Sequence, residues 1–545
     1  MKRILLGLFL SLATASGLDA GTVTVASQAD FDGLNVRLRK LIQSGDRDIR
    51  VRFQPGTYFF QEQHLAFMGL ENPEVSISFE GEGARLTAAG KDYASVGAGR
   101  WTTVPFEGPF EVSHGFVDMK NGRNLDFRTE VRQARRRPEI VDRAQGLCRI
   151  LTGEPSLSAR EAAATWIVLT QWYRSNCYKV EKIERGYVYF RSPNLTDDRN
   201  PLTDIDSDFK YGRVLPRYLL YNVKSGLTPY IKGGQLYLPG QATVHECEAS
   251  RFLLVSGSAF KSLSIKGFTF LGNAAGESLM KFYRSRIGSF SIKGCTFEGI
   301  RSDCLLFQFT PGCTISDNTF LHCYRNCIEI GFESDRTEVT DCLFQDTGLA
   351  LDNSACVRNQ ASGIRIARNR FVDFSYCAVL SGIHYTETMS DRCSSVIEDN
   401  EMYQTPEFRK APSRTLMDSG AIYLGTISQG QVVRNNYIHD IVGATDNRGI
   451  FLDDGAVHAE VYGNLVIGIA NSYCIDSRRT RWVETHPRTR IDRVNVDNYI
   501  GENWVDGPVR FETRGGNDGC RTGRNTQLNS GFDREKTVRE WRNSR

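Results

Sequence analysis

Ile315-Ser316-Asp317-Asn318-Thr319-Phe320 recurs along this chain in altered form, and that recurrence decides the fold. Before it stand Ile265-Lys266-Gly267-Phe268-Thr269-Phe270 and Ile292-Lys293-Gly294-Cys295-Thr296-Phe297. After it come Val339-Thr340-Asp341-Cys342-Leu343-Phe344 and Ile366-Ala367-Arg368-Asn369-Arg370-Phe371, then weaker copies ending at Asn400, Asn436, Asn464 and Asn498. The fourth column falls at 268, 295, 318, 342, 369, 400, 436, 464 and 498, in steps of 27, 23, 24, 27, 31, 36, 28 and 34.

A floor near 23 residues with a variable excess is the mark of stacked coils whose turns carry insertions. An Asn in the turn can bond the turn backbone and the Asn of the next coil. The Phe two positions later faces the same way along its strand and stacks into the core. A propeller would need longer four-stranded repeats, and a leucine-rich repeat would show its Leu ladder. The pattern predicts an all-β chain, a right-handed parallel β-helix over residues 251–510.

Residues 22–90 read as the start of that stack. Phe31, Leu34, Val36, Leu38, Leu41 and Ile42 are spaced roughly like one face of a helix. Alternating segments at Ile49–Phe53 and Val75–Phe79 follow. A helix and strands around Pro55-Gly56-Thr57-Tyr58 suit a cap over the open end of a solenoid. Residues 91–250 lose the rhythm and read as an inserted subdomain, with a helix predicted from Ala159 to Tyr173 behind a Ser158/Glu161 capping box. Trp166, Leu169, Trp172 and Tyr173 would form its buried side. The basic run Arg132 to Arg137 reads as a solvated face, and residues 511–545 form a C-terminal segment.

At the N-terminus, Lys2 and Arg3 precede the apolar run Ile4 to Leu12 and then Ala13-Thr14-Ala15, the order of a secretory signal peptide over residues 1–15. Cleavage is expected after Ala15 or near Ala20. No later stretch is apolar enough for a membrane helix, so the expectation is an exported protein without membrane insertion, periplasmic or secreted. Sixty-seven basic and 64 acidic residues leave a net charge of +3, which gives no argument for nucleic acid. The 14 cysteines fall mainly at equivalent repeat positions. Cys304, Cys327, Cys356, Cys377 and Cys474 share one strand column, and Cys295 and Cys342 share the turn column. They read mainly as small buried free thiols.

The repeat also fixes a second strand upstream of each Asn column. If its Ile and Leu residues point inward, Glu329, Arg358, Tyr423, Phe451 and Asp476 point outward, followed two residues later by Gln360, Asp453 and Arg478. Charged and aromatic side chains thus collect on one exterior face, where groups from neighbouring coils can converge on one sugar ring. Two lengthened loops flank it. One carries His384, Tyr385 and Glu387, and the other Arg478, Arg479, Arg481, Trp482, Glu484 and His486. They would wall a groove, with His384, Arg478 and Trp482 among the substrate contacts. The eight histidines show no metal-ligand spacing, and nothing indicates a metal or other cofactor.

The segments Asp418-Ser419-Gly420-Ala421-Ile422-Tyr423 and Gly449-Ile450-Phe451-Leu452-Asp453-Asp454-Gly455 resemble the DGGAIY and GIYLDDG motifs of parallel β-helix glycoside hydrolases. Those include β-xylosidase-type enzymes and the α-L-fucosidase/xylanase family, within the pectate-lyase-like superfamily. Ser419 and Phe451 depart from the pattern. The resemblance implies hydrolysis of an oligo- or polysaccharide, with catalytic carboxylates at or near Asp418, Asp453 and Asp454. Strand alternation lets one of Asp453 and Asp454 line the groove, and an Asp-Asp-Gly turn is the structural alternative. Glu329 is a further candidate acid, or an ion-pair partner of Arg358. Two other functions stay open: a polysaccharide lyase using Arg358 and Arg478 on a uronate, and a non-catalytic carbohydrate-binding solenoid.

Overall fold

The computed structural model describes residues 21–94, 101–106, 110–171, 174–192, 215–226, 228–240, 243–382, 393–411, 414–425, 428–442, 446–453, 455–470, 472–478, 482–485, 490–493, 495–511 and 519–545. The leader-like residues 1–15, His384 and Asp454 lie outside them, as does the 107–109 segment of the insertion. Three long parallel sheets wrap one core. The first has 13 strands, from Gly21–Val25 to Arg521–Thr522; the second has 12, from Gly56–Phe60 to Thr526–Gln527; the third has 11, from Leu65–Met68 to Val509–Phe511. The chain is a parallel β-helix, and its coils begin and end outside the clear repeat.

The repeated hexamer explains itself in the turn between the first and second sheets. The residue before the Asn column is left-handed coil after coil: Gly267, Gly294, Asp317, Asp341, Arg368, Asp399, Asn435, Gly463 and Glu502 all have φ between 48° and 80°. Gly, Asp and Asn tolerate that region best, which accounts for the recurring Gly-Cys, Asp-Asn and Asn-Asn pairs. Behind it the Asn amides form a ladder. Asn400 N donates to Asn436 Oδ1 (3.1 Å), Asn436 N to Asn464 (3.0 Å) and Asn464 N to Asn503 (3.0 Å). The rung after Asn464 is therefore Asn503, not Asn498. Asn498 caps a different turn, accepting from Ala459 N at 2.8 Å. The lengthened loop between Asn464 and Asn503 hides this register in the sequence.

Beside the ladder, Phe270, Phe297, Phe320, Phe344 and Phe371 stack with centroids 4.7–5.1 Å apart and rings within 13° of parallel. This spacing is the inter-strand distance itself. None of the 14 cysteines is in a disulfide, and 12 are buried. Cys304, Cys327, Cys356 and Cys474 belong to the main core, whereas Cys377 lies one residue out of their column, level with Ala355, and packs on the outer side.

The N-terminal cap is two helices, Gln28–Asp32 and Leu34–Ser44, broken at Gly33, with Phe31, Leu34, Leu38 and Ile42 buried against the first coils. The chain leaves the stack after Ala84–Ala88 and builds three antiparallel sheets, the largest with seven strands between Arg132 and Tyr221. The Ser158/Glu161 capping box is present, but its helix ends at Ala163. Trp166–Gln171, expected to continue it, is a strand paired with both neighbours. Ile167 and Leu169 alternate into the subdomain core there, so burial at period two overrides the weak helical spacing.

The insertion is bolted to the turns that lead from the second sheet into the third. Arg217 Nη1 donates to Thr415 O (2.6 Å), Arg301 Nη2 to Val112 O (2.6 Å), and Ser175 Oγ to Ala350 O (3.0 Å). Phe110, Phe116, Phe127 and Tyr221 of the insertion join Tyr376, Leu380, Tyr423 and Phe451 of the stack in a second apolar core. No helix among the described residues is long and apolar enough to cross a membrane.

Candidate active site

The third sheet's register runs Leu254, Lys281, Leu306, Glu329, Arg358, Leu380, Tyr423, Phe451, Asp476, Arg510. Glu329, Arg358, Tyr423, Phe451 and Asp476 do share one column, on the side away from the main core. Their environments split. Lys281 to Arg358 are half-buried, whereas Leu380 to Asp476 are buried. The expectation that Tyr423, Phe451 and Asp476 lie on an open surface is therefore corrected. The second apolar core covers the two aromatics, and Asp476 is sealed between arginines.

Arg448 organises this buried half. Its side chain has no solvent access. Nε donates to Asp476 Oδ2 at 2.8 Å, Nη2 to Asp446 Oδ1 at 2.9 Å, and Nη1 reaches Asp418 Oδ1 at 3.5 Å. The guanidinium lies 3.9 Å over the Phe451 ring, a cation–π contact strengthened by desolvation. Arg510 grips the other side of Asp476 through Nε and Nη2, both at 2.6 Å. Asp476 is wholly inaccessible, and a carboxylate so placed holds structure together. It is not a substrate contact.

Toward solvent, Arg478 bonds Asp446 at 3.0 Å and stands 3.8 Å from Asp418. Burial works against its charge, but the carboxylates of Asp446, Asp418, Asp476 and Asp453 outweigh that, so its pKa lies above the ordinary value. Asp418, Asp446 and Asp476 thus lie within 3.8 Å of Arg478, and the same three acids face Arg448. Asp418 and Asp446 sit level on adjacent coils, both left-handed (φ 55° and 66°), with Ser419 N bonding Asp446 O at 3.4 Å. Their side chains are 17% and 35% exposed and that of Arg478 is 25% exposed, so the cluster opens to solvent here. Asp453 is enclosed, and its Oδ2 accepts from the Tyr423 hydroxyl at 2.8 Å. Burial and then the Asp453 charge hold the Tyr423 phenol well above its usual pKa, so it remains a donor.

The structure brings Asp418, Asp453, Tyr423, Phe451, Asp476 and Arg478 together. Trp482 begins the strand Trp482–Thr485, which pairs antiparallel with Arg490–Arg493 in the loop after Arg478. The repeat alignment sets Asp446 level with Asp418 in the sequence, and the register agrees; Arg448 and Arg510 escaped the sequence reading. Asp446 and Arg448 flank the aligned strand start, and Arg510 would have emerged from carrying the outward column one rung beyond Asp476.

Glu329 belongs to a second cluster, three rungs from Tyr423. Its Oε2 accepts from Asn326 Nδ2 at 3.0 Å. Asp303 and Asp352 both face Arg325 Nε at 3.8 Å, and Asp303 Oδ1 accepts from Asn326 N at 3.1 Å. Burial, then the Glu329 charge, pushes the Asp303 carboxyl up to about 6. The alternative ion pair between Glu329 and Arg358 is absent among the described residues. Among the described residues, the grouping that comes nearest to a metal site is His114, Glu246 and Glu248, with ligand atoms within 4.8 Å of one another. Its donors are engaged: His114 Nδ1 meets Glu246 Oε1 at 2.8 Å, and Tyr93 donates to the other Glu246 oxygen at 2.7 Å.

Residues 243–405 match a family model described as a right-handed β-helix region. No curated protein matches the chain significantly. Among solved structures, the chain is similar to one titled "Glycoside hydrolase", at 11% identity and a TM-score of 0.53, covering 96% of this chain and 98% of that one. It also matches a PL6 family polysaccharide lyase from Pseudopedobacter saltans (13% identity, TM-score 0.28, 53% and 83% covered). A third match is the tailspike of Acinetobacter baumannii bacteriophage AP22 in complex with a capsular saccharide (8%, TM-score 0.19, 87% and 68%). At such identities the likeness is one of architecture, and the architecture is a right-handed parallel β-helix.

Proposed function

We propose that the protein hydrolyses glycosidic bonds of an oligo- or polysaccharide at the Arg478 cluster, with Asp418 and Asp453 as its carboxylate pair. The observation that carries this reading is that Asp418 stands 3.8 Å from Arg478 while Asp453, one rung on and buried, accepts from the Tyr423 hydroxyl at 2.8 Å. Glycoside hydrolysis needs one group to protonate the leaving oxygen and a second to attack carbon or activate water. Asp418, near two guanidiniums, suits the anionic role. Asp453, enclosed and bonded to Tyr423, is left as the partner. Asp446 and Arg478 would position the sugar, and Arg448 fixes the acids from behind. A lyase would need a base here, and Arg478, within 3.8 Å of the carboxylates of Asp418, Asp446 and Asp476, is poorly suited to that task. The leader-like first 15 residues support action outside the cytoplasm.

The test is sugar release from a panel of plant and host glycans by the wild type, Asp418→Asn and Asp453→Asn, each with a thermal melt. Loss of turnover by orders of magnitude with nearly unchanged binding is expected for groups acting in the transition state. Two active variants on a substrate that the wild type cleaves would move the site elsewhere. A product absorbing as an unsaturated uronate would replace hydrolysis with elimination.

A further inference from the structure

Arg358 stands mid-strand in Ala355–Asn359, with Glu329 on the preceding rung and Leu380 on the next. Its Nε is buried and has no hydrogen-bond partner, and among the described residues Arg358 makes no ion pair. The contrast with Arg448, Arg478 and Arg510 on the same sheet is sharp, since each of those holds a carboxylate. The acid best placed to neutralise it, one rung or about 4.8 Å away, is Glu329, which bonds Asn326 instead. A buried N–H left without an acceptor is destabilising, and no described residue supplies one.

We propose that Arg358 is the anion-recognising residue of the saccharide groove, and that the substrate carries a carboxylate or sulfate on the sugar unit lying over it. A guanidinium is a planar fork that matches both groups and binds them in two-point fashion. Arg358 is four rungs, roughly 19 Å, from the Asp476 rung that leads into Arg478, so the anionic sugar is a distal unit of an oligosaccharide bound at the Arg478 cluster. Of the nearby acids, Asp303 and Asp352 share Arg325, while Glu329 is turned to the neutral Asn326 amide and makes no ion pair with Arg358 among the described residues. The push of Asp303 up to about 6 further lowers the negative charge there in mildly acid solution. The inference rests on a saccharide occupying the groove, as proposed above, but not on which carboxylates cleave it.

The experiment measures binding rather than turnover. Oligogalacturonates, glucuronate-bearing oligosaccharides and sulfated galactan oligosaccharides are titrated into the wild type, Arg358→Gln and Arg358→Lys. Each is run beside its carboxyl-reduced or desulfated form at low and high salt. At least one anionic form should bind about tenfold more tightly than its neutral counterpart, with the preference fading in salt. Arg358→Gln should abolish that preference, leave neutral binding unchanged and not lower the melting temperature; Arg358→Lys should keep part of it. Whether the uronate or the sulfate pair responds identifies the group. Equal binding of every pair, a preference that survives Arg358→Gln, or a melting temperature lowered by that variant would overturn the proposal. Asp418→Asn and Asp453→Asn variants that remain active would leave it standing, so the two readings fail separately.

Discussion

Asp476 lies between Arg448 and Arg510 with no access to water, and the energetics of that triad can be worked out residue by residue. Replacing Arg448 by Met keeps volume and removes the charge. Breaking a buried pair by deleting one partner costs about 3–5 kcal/mol. The loss is moderated because Asp476 keeps Arg510 and Asp446 keeps Arg478. It is deepened by losing the stack on Phe451, worth about 2 kcal/mol when desolvated. The net expectation for Arg448→Met is about 3–5 kcal/mol. Arg510 is 24% exposed, and Arg510→Met leaves Asp476 its Arg448 bond, so about 1–2 kcal/mol is expected. The double variant strands a buried carboxylate with neither partner and should lose roughly 1–3 kcal/mol beyond the sum. Urea midpoints and slopes for the four proteins close the cycle. An Arg448→Met protein within about 1 kcal/mol of wild type, or strictly additive losses, would refute the claim that this network holds the site's acids in place.

The Asp303 carboxyl, pushed from 3.8 to about 6 in the folded chain, stabilises the fold fully below pH 3.8 and loses that contribution as pH rises through 6. The loss is at most about 3 kcal/mol. Asp303→Asn should therefore melt like the wild type near pH 4 and above it at pH 7, and a difference that ignores pH in this window would contradict the assignment. For the cysteines, alkylation without reductant should label only Cys177, and more slowly Cys520, in the native protein, because the other 12 are buried. All should be labelled after unfolding. A disulfide between Cys304 and Cys323, whose sulfurs lie 3.6 Å apart, would be the contrary result.

The stack was legible because its determinants are local and repeated: a left-handed turn residue, an Asn that bonds its own copy one coil on, and a Phe that stacks on its copy. The outward column was legible for the same reason, since strand alternation is all it requires. What covers that column was not. Phe110, Phe116 and Phe127 lie far from Tyr423 and Phe451 in the chain, and no periodicity says that they meet. Two arginines held by acids of neighbouring coils, the buried Arg448 and the half-buried Arg510, look in the sequence like ordinary surface charges. Asn498 misled because the hairpin loop displaced the true rung to Asn503. The short helix at Ala159–Ala163 misled because a genuine cap does not set where a helix ends.

The anchoring of the insertion changes how the solenoid comes apart. A stack in which each coil touches only its neighbours frays from its ends, one rung at a time. Here successive coils are tied to one external body: Ala275 N bonds Ser113 O, Arg301 holds Val112 O, Ala350 O takes Ser175, and Thr415 O takes Arg217. The rungs from Met280–Tyr283 to Cys377–Ser381 are therefore splinted and must open as a unit. Their slowest amides should exchange with solvent at one common rate, while amides of later rungs exchange on their own schedules. The last of these anchors stands three residues before Asp418. The proposed carboxylates thus lie just past the last hydrogen-bonded anchor, where the splint gives way to apolar cover and to the arginine network as the ties between coils.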